Sequence, residues 1–229
     1  MKFRAAVLRQ AGLPRPYGRS RPLAIETVEL PAPAAGEVLV EIKAASICHS
    51  DLSVVNGDRR WPLPIVPGHE AAGVVAQAGA GVDSVAAGDH VALIFLTQCG
   101  TCERCVEGKP YLCARGTQAN REGRLITGGP HLALGGAPLH HHMGLAAFAE
   151  YALVSEKSLV RIPRELGFVE APLGPGQMDG GPQLGCEGGP GDDRFAGLLE
   201  GIERAVGQAG GRDCADAQHP AHQDRPGDA

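Results

Sequence analysis

Four cysteines stand within the fifteen-residue stretch CGTCERCVEGKPYLC, from Cys99 to Cys113. Cys99, Cys102, Cys105 and Cys113 follow the spacing C-x2-C-x2-C-x7-C. Thiolates two residues apart reach one ion from a tight turn, and a fourth a little further on completes a tetrahedron. Four sulfurs leave no open position, so the chemistry is that of a structural zinc. Gly100 and Gly108 permit the turns, and Lys109 offsets part of the charge of a four-thiolate centre. The rival is an iron–sulfur cluster, whose bacterial spacing C-x2-C-x2-C-x3-C is near but different. Free or disulfide-bonded thiols are the third reading. A structural zinc contributes on the order of 10 kcal/mol to the folding of a small module. The sulfurs would then staple a loop that has no core of its own.

Two further stretches carry ligand types. One is CHSD at 48–51, the other GHE at 68–70. A thiolate (Cys48) and an imidazole (His69) suit zinc. Taken alone each is an ordinary core or surface residue; beside the four-cysteine lobe they become specific. Ser50 and Asp51 also read as caps for a short helix. The run His140, His141, His142 reads as a solvated loop, because three consecutive side chains cannot all aim at one ion without strain. Glu150 and Tyr151 read as the surface and core positions of an alternating strand.

The elements that must hold these residues are mostly strands. Segments 3–8, 23–30, 37–46, 71–79, 89–96, 147–154 and 158–162 are short, apolar or alternating, and partly β-branched. Turn residues separate them, as in PAPAAGE and GAGVDSVAAGD. Regular short strands with Gly/Pro turns predict a β-barrel or sandwich. A short helix is expected over 49–57, with a polar start and a glycine stop. Segment 121–144 reads as a long loop, of the kind that tends to be functional.

Beyond Pro172 the composition changes. Residues 172–229 hold 14 Gly and 6 Pro but only 7 Leu, Ile, Val and Phe, too little apolar surface to offset the entropy of ordering. This segment has 4 basic against 10 acidic residues, whereas 1–171 has 17 against 16. It contains no Ser, Thr, Lys, Asn, Tyr or Trp, unlike ordinary disordered linkers. The expectation is a disordered tail, or the product of a GC-rich gene read out of frame. The N-terminus has no apolar secretory segment, and no run of 18 apolar residues spans a membrane. A cytoplasmic location is expected, where clustered cysteines serve as ligands rather than disulfides.

Across residues 3 to 171, Cys48-His49-Ser50-Asp51, Gly68-His69-Glu70, the four-cysteine lobe and AFAEY at 147–151 resemble the zinc-dependent medium-chain alcohol dehydrogenases. The resemblance implies a mainly β fold. Residues 1–171 would form a GroES-like β-barrel catalytic domain with a zinc lobe at 95–115, followed by the tail. It implies a catalytic zinc on Cys48 and His69, and a structural zinc on Cys99, Cys102, Cys105 and Cys113. It assigns Ser50 to the substrate proton, Glu70 to the acidic position near the metal, and Asp51 to the carboxylate behind it. Asp51 could orient His69 and fix its tautomer. His49 would contact the phosphate of a nicotinamide cofactor, NAD or NADP. Small alcohols or aldehydes are the implied substrates. Neither nucleic acid nor membrane is an expected partner, and homo-oligomerisation stays open.

Two family elements are missing. The third ligand, usually Cys, would fall near position 176, which is Gly176; Cys186 comes ten residues late in a Gly/Pro-rich run. No G-x-G-x-x-G is present to bind a dinucleotide. The expectation is therefore a truncated oxidoreductase that binds zinc but turns over little. The alternative is a zinc-stabilised barrel that acts only as a binding or assembly module.

Overall fold

The computed structural model describes residues 1–95, 97–129 and 131–168, and the backbone of Gln183–Gly185. In chain order the elements are β1 (Lys2–Leu8), α1 (Tyr17–Ser20), β2 (Leu23–Glu29), β3 (Glu37–Ser46), α2 (His49–Val55), β4 (Ile65–Val66), β5 (Ala71–Ala78) and β6 (His90–Leu93). There follow α3 (Glu103–Val106), α4 (Ala114–Arg121), β7 (Ala133–Leu134), β8 (Ala137–Pro138), β9 (His140–His141), β10 (Tyr151–Ser155), β11 (Leu159–Arg161) and β12 (Gln183–Gly185). The fold is mainly β, with little helix.

Two sheets form a barrel-like body. One runs β8-β7-β2-β1-β4-β9; the other runs β10-β3-β5-β6-β11, with β12 also paired to β3. β3 is buried along most of its length because neighbours pair with both of its edges. Register shifts between Leu39 and Val40 and between Ile42 and Ala44 bend β3 against β5, the curvature a closing sheet needs. The segment before β10 joins the sheets. Ala5 bridges Ala149, Ala6 N donates to Phe148 O at 2.8 Å, and Ile42 N donates to Glu150 O at 3.0 Å. Phe148 is wholly buried in the larger core with Leu8, Ile42, Ile65 and Leu145. Each such side chain contributes about 1.5–3 kcal/mol.

Three local expectations change. Segment 121–144 is more than a loop: it carries the end of α4, the β7–β8 hairpin and β9. The histidine run is not solvated, since His141 and His142 are fully buried. The cause is long-range pairing, because β9 lies parallel to β4, with His140 beside Ile65 and His141 beside Val66. Glu150 is not on the surface either. Its carboxylate is clamped by Arg4, through Nε at 3.0 Å, Nη2 at 2.9 Å and the backbone N at 2.7 Å. Tyr151 is half-buried, edge-on to Phe3. The expected disordered tail, Gly176 and Cys186 lie outside the described residues; within that span only the strand β12 is described.

His141 makes the fold sensitive to acid. Burial, with the neighbouring His131 and His140, pushes its pKa down to about 3 from 6.5. The unfolded chain binds this proton below pH 6.5 and the folded chain does not, so stability is lost as pH falls from 6.5 towards 3. At pH 5 the loss from this residue is about 2 kcal/mol. Circular dichroism melts at pH 7 and pH 5 should show a smaller acid-induced drop in Tm for His141→Leu than for the parent chain. Equal drops would remove this account.

Candidate metal centre

Asp51 is the third residue of α2 and is fully buried. Its Oδ2 accepts from the backbone N of Cys48 at 3.0 Å, which caps the helix. The cap is therefore made by Asp51 and Cys48, not by Ser50. Oδ1 faces three more groups. It accepts from Gly68 N at 3.1 Å, and the Nδ1 atoms of His69 and His142 each lie at 3.1 Å. The His142 contact is short but off-line for a well-aligned hydrogen bond, and its Nε2 has no partner among the described residues. Burial alone would raise the carboxyl pKa; His142 and His69 outweigh it and hold Asp51 well below the usual range. An ionised carboxylate only accepts, so the proton of His69 sits on Nδ1 and its Nε2 faces away.

Nε2 of His69 looks onto the other donors. It lies 3.8 Å from Glu70 Oε1, while Glu70 Oε2 accepts from Ser46 Oγ at 2.8 Å. Cys48 Sγ, His69 and Glu70 each bring a ligand atom within 4.8 Å of the others, a set that could hold a metal ion. Burial, the largest influence, raises the Cys48 thiol pKa despite opposing hydrogen bonds with Ser50. A thiol with that bias ionises readily only beside a cation. Ser50 Oγ stands 3.8 Å from the sulfur, and His49 is exposed on the same first turn. Gly68 makes the approach possible. Its φ is +92°, and a Cβ there would sit 2.5 Å from the Phe148 ring.

The second set is the lobe. Cys99 and Cys105 sulfurs lie 3.9 Å apart, Cys102 and Cys105 3.5 Å, and Cys102 and Cys113 3.9 Å. A tetrahedral zinc with bonds near 2.3 Å requires sulfurs about 3.8 Å apart, so the donor set fits that ion. Hydrogen bonds from the backbone of Thr101 and Cys102 bring Cys99 down to about 5. Desolvation and the Cys102 contact push Cys105 up to about 11. Four thiolates this close repel one another unless a cation sits between them. Amides already point inward: Cys102 N at Cys99 Sγ (3.3 Å), and Cys99 N and Gly116 N at Cys113 Sγ (3.4 Å each).

The structure thus brings Cys48, His69, Glu70, Ser50 and Asp51 together and keeps the lobe separate. His142 was missed by sequence reasoning. It lies in a run of identical residues, and only the β4–β9 pairing brings it to Asp51. Asp51→Asn should cost about 3–5 kcal/mol, because two buried imidazoles lose their charge partner. Urea denaturation of the full chain measures this; a loss under 1 kcal/mol would show that the carboxylate is not the organising charge.

Comparison with known proteins places this arrangement. Residues 34–164 match the family described as the alcohol dehydrogenase GroES-like domain. An S-(hydroxymethyl)glutathione dehydrogenase of Escherichia coli is 39% identical over 166 residues, covering 72% of this chain. This chain spans only 43% of that relative's length. An alcohol dehydrogenase zinc-binding domain protein from Burkholderia ambifaria superposes with a TM-score of 0.66 at 38% identity, over 73% of this chain and 44% of that one. Benzyl alcohol dehydrogenase from Acinetobacter calcoaceticus gives 0.65 at 28% identity, over 75% and 44%. With its matched segment spanning more than half of the sequence, the chain belongs to the alcohol dehydrogenase GroES-like domain family.

Proposed function

We propose that this chain is the metal-binding part of a zinc-dependent oxidoreductase that oxidises alcohols with NAD or NADP. The observation that carries this reading is the convergence of Cys48, His69 and Glu70 beside a serine hydroxyl, with a separate closed four-sulfur set. Zinc held by three donors with one position open supplies Lewis acidity towards a substrate oxygen. Cys48 Sγ and His69 Nε2 would hold it, with Glu70 as the nearby carboxylate. Asp51 keeps the proton on His69 Nδ1 and so keeps Nε2 available. Ser50 Oγ takes the proton of the substrate hydroxyl and hands it towards solvent. His49 offers a donor to a cofactor phosphate at the exposed start of α2. Cys99, Cys102, Cys105 and Cys113 hold the structural ion. Among the described residues the five cysteines are free thiols, a state that a reducing cytoplasm maintains. No helix among the described residues is long and apolar enough to cross a membrane.

Hydride transfer also needs a nicotinamide fixed against the substrate, and such positioning supplies roughly 7–11 kcal/mol. The 229 residues contain no G-x-G-x-x-G. We therefore assign low turnover to this polypeptide by itself. The same observation favours the second reading, a zinc-stabilised barrel that works as a binding module.

Elemental analysis of the purified chain should find two zinc ions per chain, falling to one in His69→Ala and to one in Cys105→Ser. Finding only the lobe ion would contradict the catalytic centre and favour the binding module. Alcohol oxidation with NAD at an enzyme-like rate would contradict the low turnover.

A further inference from the structure

A cavity of about 200 Å³ lies between the two donor sets. Trp61, Phe95, Tyr111 and Met143 give it apolar walls. The rings tie it to the candidate catalytic centre. Phe95 stands edge-on to His69 with centroids 5.4 Å apart, and Trp61 edge-on to His142 at 4.9 Å. The opposite side is built by the lobe. Cys113 Sγ, which also lines the cavity, accepts from Gly116 N and caps α4. Gly116 then packs so closely on Thr97 that a Cβ would fall 1.9 Å from its carbonyl oxygen. This fixes Thr97 of the loop against Thr117 and Asn120 of α4, all three on the cavity lining.

The polar groups of that wall are unequally satisfied. Thr97 Oγ1 donates to Asn120 Oδ1 at 3.1 Å and lies 3.4 Å from Met143 O. Asn120 Nδ2 and the Thr117 hydroxyl make no hydrogen bond among the described residues, so two donors remain for a ligand. No charged side chain lines the cavity. Aromatic walls favour a ring in edge or offset contact, and a few placed polar groups set its orientation. The volume is below the usual range for drug-sized ligands, which limits the occupant to one ring.

We infer that this cavity takes an uncharged alcohol built on a single aromatic ring that carries a second, hydrogen-bond-accepting oxygen. The hydroxyl faces the His69 side and the second oxygen meets Asn120 and Thr117. The assignment rests on the proposed function for the direction of the hydroxyl, but occupancy can be read without turnover.

Trp61 is the sole tryptophan of the chain, so its emission reports the cavity directly. The full chain, prepared with zinc supplied, is titrated with 4-methoxybenzyl alcohol, benzyl alcohol, hexan-1-ol and 4-(hydroxymethyl)benzoate. A saturable emission change is expected, with the methoxy compound binding two- to tenfold tighter than benzyl alcohol, the worth of one hydrogen bond. Both ring alcohols should bind tighter than hexan-1-ol and the benzoate. Asn120→Leu should erase the methoxy advantage. Because Asn120 also supports Thr97, Thr117→Val, at the exposed mouth, is the second variant; it should narrow the advantage while leaving benzyl alcohol affinity in place. No saturable change, equal binding of hexan-1-ol, or equal binding of the benzoate overturns the inference. Zinc is measured in the same samples. Metal without ring binding overturns this inference alone; ring binding without metal supports it and overturns the proposed function alone.

Discussion

A carboxylate sealed from water persists only while donors surround it, and Asp51 organises this molecule around that requirement. Its partners come from three separated parts of the chain: the donors Cys48 N at the start of α2 and Gly68 N and His69 after β4, and the close-lying His142 ring after β9. None of these is a neighbour of the others without the barrel. The barrel brings them together, and the charge in turn dictates which nitrogen of His69 is left for a metal. One carboxylate does both jobs with different oxygens: Oδ2 caps the helix while Oδ1 faces the His69 imidazole.

The lobe is tied into the same structure. Cys113 ends the four-sulfur set, starts α4 and borders the cavity beside His69. An ion held by those sulfurs would anchor an amide network and, with it, the wall carrying Thr117 and Asn120. Stability of the lobe and shape of the cavity are thus linked through one residue. The Arg4–Glu150 clamp plays a comparable part in the barrel, holding β1 against the segment that joins the sheets.

Much of this was legible in the sequence. The spacing of Cys99, Cys102, Cys105 and Cys113 is a local pattern, and local patterns survive in one dimension. The strand 37–46 was legible to the residue because a nearly continuous apolar, partly β-branched run matches its nearly continuous burial. Cys48, His69 and Glu70 were legible through a resemblance rather than through spacing, since two short motifs say nothing of their separation in space. The two-residue strands β4 and β9 have no period to detect, and their pairing is long-range. That pairing is what buries His141 and His142, so a run of three imidazoles looked solvated. Glu150 misled for the same reason: alternation predicts a face, while its burial depends on Arg4, 146 residues away in sequence.

If Asp51 dictates the tautomer, the proton of His69 lies on Nδ1 and Nε2 is left free for a metal. Nitrogen-detected NMR of the histidine-labelled chain, recorded before and after zinc is added, is the decisive measurement. A proton on His69 Nδ1 is expected, with an unprotonated Nε2 whose resonance moves when zinc is added. A proton on Nε2, or a His69 ring indifferent to zinc, would contradict it.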